Sequence, residues 1–464
     1  MATNTLPEWG DMQGIVLSAY PGLDAAEYLP LRIEDAARTR DWLRRMADHV
    51  TTAAERRSDT NEAFARRLGL DIHLNVNIAI SCTGLVKLYD VNDRDRDSFL
   101  YAFTEGVAGN VHRSRILGDT GANDPDHWDW GGDWKPVDVL LMVFAKTEAD
   151  LPRAVDEALL SSGMARVPTH PLKALSVKAA DGREHFGFVD GKSQPILTGT
   201  VDAERYPNSI HLTELGEFVF GYPDDGHTVA EGPKLGGWEE FGKNGTYLVF
   251  RQLEQDVAGF WKFMYEKTRS PSGTEDPIAA AELASKIVGR RQQDNGTPLV
   301  PYGHPDDNEF DFSDDPHGYG CPVSAHIRRA NPRGSLSAEP LPRDQANRHR
   351  ILRRARSYGP KLKDPRHDDR TKRGLLFMAL NSDFERQFEF INQNWVNNPG
   401  FSGLAYERDP LVGGKDPHHR SQFTIPGLPA RTRIEGVPRF VTVKGGEYFF
   451  LPGIRALKHL GGGV

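Results

Sequence analysis

The feature that most constrains this chain is a pattern met in both halves: an apolar run of strand length followed directly by an amphipathic helix. Val137–Ala145 (VDVLLMVFA) is a continuous apolar run bounded by Pro136 and a polar stretch, which suits a buried strand. In the ADLPRAVDEALLSSG that follows, Leu151, Val155 and Leu159 recur every four residues, one face of a helix closed by Gly163. Ile72–Ser81 (IHLNVNIAIS) adds a strand to this half. In the other half Thr246–Leu253 (TYLVFRQL) reads as a strand, and Val257, Phe260, Trp261 and Met264 follow at helical spacing. Gly374–Leu380 (GLLFMAL) is a strand, and Phe384, Phe388, Ile391 and Trp395 mark the next helix. Arg439–Phe450 (RFVTVKGGEYFF) is expected to be a hairpin turning at Gly445-Gly446. Strand, helix and strand in each half predict an α+β fold of two similar domains, divided after Pro195, although no residue-level repeat accompanies it. Residues 301–316 and Pro360–Arg373 read as surface loops.

Composition narrows the function. Lys and Arg number 57 against 65 Asp and Glu, a net charge of −8, so nucleic acid and anionic membranes are not expected partners. Cys82 and Cys321 stand alone, which excludes a disulfide framework or a Cys-based zinc site and fits a reducing compartment. No stretch approaches the roughly 20 apolar residues of a membrane span, and the first residues show no export signal, so a cytoplasmic protein is expected. No phosphate loop, HExxH helix or GxSxG elbow is present.

Three segments carry chemistry-bearing residues. In FGFVDGKSQP (186–195), Asp190 lies between two glycines that allow a tight bend, where it either braces a turn or serves a site. In CPVSAHIRRANPR (321–333), His326 has an apolar approach and is followed by Arg328, Arg329 and Arg333. It is either a satisfied core histidine or a ligand to a metal-bearing group with carboxylates, such as haem. In HRILRRARSYG (349–359), Arg350, Arg354 and Arg356 read as a solvated basic helix face. Arg353 follows two apolar residues and either joins that face or turns inward toward an anion.

These segments resemble one family. GFVDG (187–191) matches the GxxDG signature of the dye-decolorizing peroxidases, CPVSAHIRRANPR is similar to their proximal-histidine segment, and ILRRARSYG to their distal-arginine segment. DMQGIVLSAY, LGEFVFGYP, NGTYLVFRQLEQDVAGFW and GLLFMALNSDFERQFEFINQNWVNNP resemble the longer bacterial or fungal-like members, in family order over nearly the whole chain. The resemblance implies two ferredoxin-like domains of the dimeric α+β barrel type, antiparallel sheets flanked by helices, at residues 1–195 and 196–464. The second would hold one haem b. It implies a peroxidase that reduces hydrogen peroxide and oxidises bulky aromatic substrates, dyes and phenols among them, in one-electron steps.

Carried over residue by residue, the resemblance makes His326 the proximal iron ligand, its second nitrogen donating to Asp409, with Asp416 as fallback. Asp190 and Arg353 stand on the distal face, with Arg354 as fallback for Arg353, and Leu375 and Phe377 form an apolar wall there. Arg328 and Arg333 are matched to the haem propionates. Tyr358 and Trp395 match proposed surface electron relays, though Trp395 also continues an apolar stripe that reads as core. The chain departs from the family where Ala355-Arg356-Ser357 replaces Gly-Ile-Pro before Tyr-Gly, and in a long polar insert between His326 and Arg353. As distal base an aspartate stays ionised where histidine is already protonated, so activity is expected to peak on the acid side of neutrality. Two other readings share part of this pattern: a haem carrier or iron-releasing haem protein, and a haem-free binding protein of two α+β domains.

Overall fold

Eight antiparallel strands close into a barrel. They are β1 (Ala25–Ile33), β2 (Leu74–Ile80), β3 (Val139–Ala145), β4 (Leu172–Leu175), β5 (Thr246–Gln255), β6 (Arg356–Tyr358), β7 (Gly374–Asn381) and β8 (Val441–Leu451). The computed structural model describes residues 6–57, 68–70, 72–176, 181–293, 295–300, 308–336, 342–415 and 418–462. Neighbouring strands run β2-β3-β1-β4 in one sheet and β8-β5-β7-β6 in the other. Two narrow seams join the sheets: Phe450 of β8 opposite Ile80 of β2, and Ser357 and Tyr358 of β6 opposite Leu175 and Ala174 of β4.

The period of two along each strand sorts the side chains. Ala26, Tyr28, Leu140, Met142, Phe144, Leu248, Phe250, Leu376, Met378 and Phe449 point into the barrel and form one core. Leu29, Leu31, Val76, Ile78, Leu141, Val143 and Val249 point outward beneath helices and form a second. The helices begin where their caps dictate. Asp35 accepts from Arg38 N at the start of α1 (Ala36–Met46), and Asp256 accepts from Gly259 N at the start of α3 (Val257–Thr268), while α2 (Leu151–Leu159) opens with a proline in its first turn. Asp276 caps α4 (Pro277–Val288), which ends at left-handed Gly289. The short α5 (His326–Ala330) follows.

Three expectations need correction. Gly445-Gly446 is not a hairpin turn: β8 runs straight through it, with a bulge between Val443 and Gly445. A side chain at Gly445 would lie 2.4 Å from the Trp130 ring, so glycine is there for close approach. After β7 the apolar stripe winds as two π-helical turns, Glu385–Glu389 and Ile391–Val396, in place of a regular helix. Arg350, Arg354 and Arg356 do not form a solvated face; all three are buried. Residues 301–307 of the Asp/Pro/Gly-rich stretch lie outside the described residues.

Candidate active site

The outer face of the second sheet is the floor of a cavity of about 330 Å³. Leu375 and Phe377 of β7 stand opposite Leu253 and Arg251 of β5, and Val443 and Val441 of β8 stand opposite Leu253 and Gln255. All seven line the cavity, because alternate residues of paired strands share a face.

The same alternation decides between two arginines. In the two-residue strand Leu352–Arg353, which pairs with Leu380 and Ala379, Leu352 enters the barrel core and Arg353 turns outward to the cavity. Arg354 turns back: its Nε donates to Ile15 O, Nη2 to Val16 O and Nη1 to Arg353 O. Arg353 Nη2 donates to Lys192 O at 2.6 Å, and its backbone N–H to Gln194 Oε1 at 3.2 Å. Enclosure pushes its guanidinium pKa down, and the Asp190 carboxylate acts against that.

Asp190 also lines the cavity, at the end of a closed turn. Its N–H donates to Gly182 O at 3.0 Å, and its Oδ1 accepts from Gly191 N at 2.6 Å. Gly187 in this turn has φ of +97°, and a side chain there would press on Gln292 Nε2 at 3.0 Å.

His326 opens α5, and its Nδ1 donates to Asp409 Oδ2 at 2.8 Å. The other oxygen of Asp409 accepts from Leu411 N and Val412 N, so this fully buried carboxylate is held rigidly. Burial alone would raise the Asp409 pKa; the charge and hydrogen bond of His326 outweigh it and the net shift is down. The His326 pKa shows the mirror image, burial lowering it and Asp409 carrying it upward. In the neutral imidazole, with Nδ1–H donated, Nε2 is the nitrogen that carries the lone pair. The His326 side chain keeps 29% of its surface accessible, and it lines the cavity. Asp409 is therefore the partner; the alternative, Asp416, lies outside the described residues.

Arg333 lines the cavity too, stacked 3.7 Å from the Phe310 ring centroid, its Nη1 donating to Asn308 O and Phe310 O and its Nη2 to Ser193 Oγ. Burial, then the charges of Arg290 and Arg350, push its pKa down to about 9. Arg290, His211 and His349 line the same cavity and were not singled out from sequence, and Arg350, read there as part of a solvated face, lines it as well. Arg328 departs from expectation. It lies off the cavity, paired to Asp315 Oδ2 at 3.2 Å and bonded to Cys321 O, over the Phe312 ring. Tyr358 points into the barrel core at 8% exposure, on the opposite face of the sheet from the cavity, so it is not a surface relay. Trp395 is 5% exposed, edge-on to Phe390 and His349, and lines the cavity; the core reading is the one its packing matches.

The residues present fit a haem. His326 lines the cavity, and in its neutral form Nε2 carries the lone pair; Leu253, Leu375, Phe377, Val441 and Val443 give an apolar surface, and arginines on the same cavity can pair with carboxylates. Glu184, another cavity residue not anticipated from sequence, accepts from Phe186 N, Phe188 N and Gln255 Nε2. Its only sequence signal is its place just before GFVDG.

Comparison with known proteins gives the family. No family model matches the chain. It is 33% identical over 361 residues to the multifunctional dye peroxidase DyP2 of Amycolatopsis sp., covering 73% of this chain and 74% of that protein. It is 31% identical over 414 residues to the dye-decolorizing peroxidase msp1 of Mycetinis scorodonius, covering 82% of this chain and 75% of that one. The solved structure of an ancestral D-type dye decolorizing peroxidase superposes with a TM-score of 0.80 at 27% identity, over 98% of this chain and 99% of that one. The chain belongs to the dye-decolorizing peroxidases, a family of haem-containing enzymes.

Proposed function

We propose that His326 holds the haem iron through Nε2, and that Asp190 and Arg353 handle hydrogen peroxide on the other side. One observation carries this reading: His326, tied through Nδ1 to Asp409, shares a single cavity with Asp190 and Arg353. Haem, when bound, supplies the iron at which peroxide is reduced and electrons are drawn singly from reducing substrates. The protein's part is proton movement and charge. Asp190 Oδ1 is engaged by Gly191 N, which leaves Oδ2 to take the peroxide proton and hand it to the departing oxygen. Arg353 Nη2 is engaged by Lys192 O, which leaves Nε and Nη1 to stabilise the negative charge that develops on peroxide oxygen. Arg333, on the same cavity, would hold a haem carboxylate, and Leu375 and Phe377 would exclude water from it. The reducing substrates are bulky aromatic compounds, dyes and phenols.

The test uses haem-loaded protein. Asp190→Asn and Arg353→Leu should each lower peroxide-dependent oxidation by about two orders of magnitude or more at unchanged haem content. His326→Ala should lose the Soret band. A haem carrier or iron-releasing protein does not need Asp190 or Arg353, so near-normal peroxide turnover in both variants would overturn the assignment.

A further inference from the structure

We propose that Glu184 is a positioning residue of the peroxide site: its carboxylate gathers Phe186 N, Phe188 N and Gln255 Nε2 and so fixes the turn that presents Asp190 to the cavity. This rests on the reading of Asp190 as the proton acceptor.

The turn closes on itself in two ways. Its backbone pairs Glu184 N with Phe188 O at 2.9 Å, Gly187 N with Glu184 O at 2.9 Å, and Asp190 N with Gly182 O at 3.0 Å. Within that loop Glu184 Oε2 accepts from Phe186 N at 2.8 Å and Oε1 from Phe188 N at 2.9 Å. The third bond, Gln255 Nε2 to Oε2 at 2.7 Å, anchors the turn to β5, the strand that supplies part of the cavity floor. Arg183 Nη1 braces the outside of the turn on Gly187 O and Gln292 O. Asp190 is therefore placed by a carboxylate six residues earlier, not by its own contacts alone.

No other side chain serves this role. Three N–H donors converge on two oxygens, so the group must accept at both and donate at neither. Glutamine would set an NH2 against one of the donors, and aspartate is one methylene too short to span both amides. Enclosure raises the Glu184 pKa to about 7 against the pull of all three donors, with the like charge of Asp190 adding to the rise. A leucine or methionine would fill the space but leave all three N–H donors without an acceptor.

The experiment compares wild type with Glu184→Gln, Glu184→Asp, Gln255→Leu and Asp190→Asn, all haem-loaded. Hydrogen exchange is read at residues 182–190, and steady-state kinetics are read separately for peroxide and for the aromatic reductant. Glu184→Gln should bind haem normally, lose protection of the Phe186 and Phe188 amides about tenfold or more, and lose peroxide kcat/KM about tenfold or more. Its KM for the reductant should not change. Glu184→Asp should resemble it, because charge is kept but reach is lost. Gln255→Leu removes one anchor without touching the turn, so it should give a smaller loss of the same kind and keeps the idea testable if Glu184→Gln does not fold. Wild-type protection in Glu184→Gln, or full peroxide turnover in Glu184→Asp, overturns the proposal. Near-normal turnover in Asp190→Asn instead overturns the role of Asp190, and the exchange data still report on the turn.

Discussion

His211 shows how one enclosed group sets a pH response. It is 1% exposed, with Nε2 bonded to Asn308 O at 2.9 Å, and burial followed by the charge of Arg333 lowers its pKa to about 4. The unfolded chain takes up this proton near the ordinary value of 6.5, the folded protein only near 4. Stability is therefore lost as pH falls between those values, by an amount on the order of 2–3 kcal/mol for this residue. His211→Gln can still donate to Asn308 O but does not titrate. The loss of stability between pH 7 and pH 4.5, measured by urea unfolding, should be smaller in the variant by about 2 kcal/mol; equal losses would refute the assignment. Residues of this kind are hard to read in a sequence, because IHLT says nothing about Arg333 and Arg350, which the fold brings near it.

At the scale of elements, guanidinium groups bound to backbone carbonyls hold together segments that would not hold themselves. Five-residue α5 is too short to be stable alone. Arg329 pins it by donating to Trp395 O, Val396 O, Asn398 O and Glu407 O, over the Phe401 ring. Arg354 and Arg356 likewise grip the N-terminal segment, at Ile15, Val16, Ala19, Tyr20 and Leu23 carbonyls. That is why these arginines are buried where the sequence suggested solvent: each guanidinium satisfies several carbonyls that no strand reaches. Arg329→Met keeps the aliphatic stem and strands the carbonyls. It should destabilise the protein by about 3 kcal/mol and loosen the hold of His326 on haem, read as a faster transfer of haem to apomyoglobin. Unchanged haem transfer would show that α5 needs no such anchor.

At the scale of the whole molecule, the two sheets share one interior. Phe250 from the second sheet is fully buried, stacked 5.2 Å from Tyr28 of the first, with Trp130 5.4 Å away. Phe250→Ala should cost about 3–5 kcal/mol, and it should lower the midpoint of a single transition. Two separated transitions, seen by differing near- and far-ultraviolet circular dichroism, would mean that the sheets fold independently. Among the described residues no helix is long and apolar enough to cross a membrane.

Local pattern alone determined a good deal. Apolar runs placed β2, β3, β5 and β7 and helical spacing placed α2 and α3, while it was the resemblance of whole segments to one family that pointed to His326, Asp409, Asp190 and Arg353, which the fold brings to or beside one cavity. These signals are legible because they depend on residues a few positions apart. Tertiary structure decided what depends on distant neighbours: that Gly445 yields to Trp130 instead of turning, that Arg328 seeks Asp315 while Arg333 seeks the cavity, and that Tyr358 faces inward. In each case the outcome is set by which face of a strand or short helix meets which partner, from thirteen residues away for Arg328 and Asp315 to more than three hundred for Gly445 and Trp130, and local periodicity does not encode that choice.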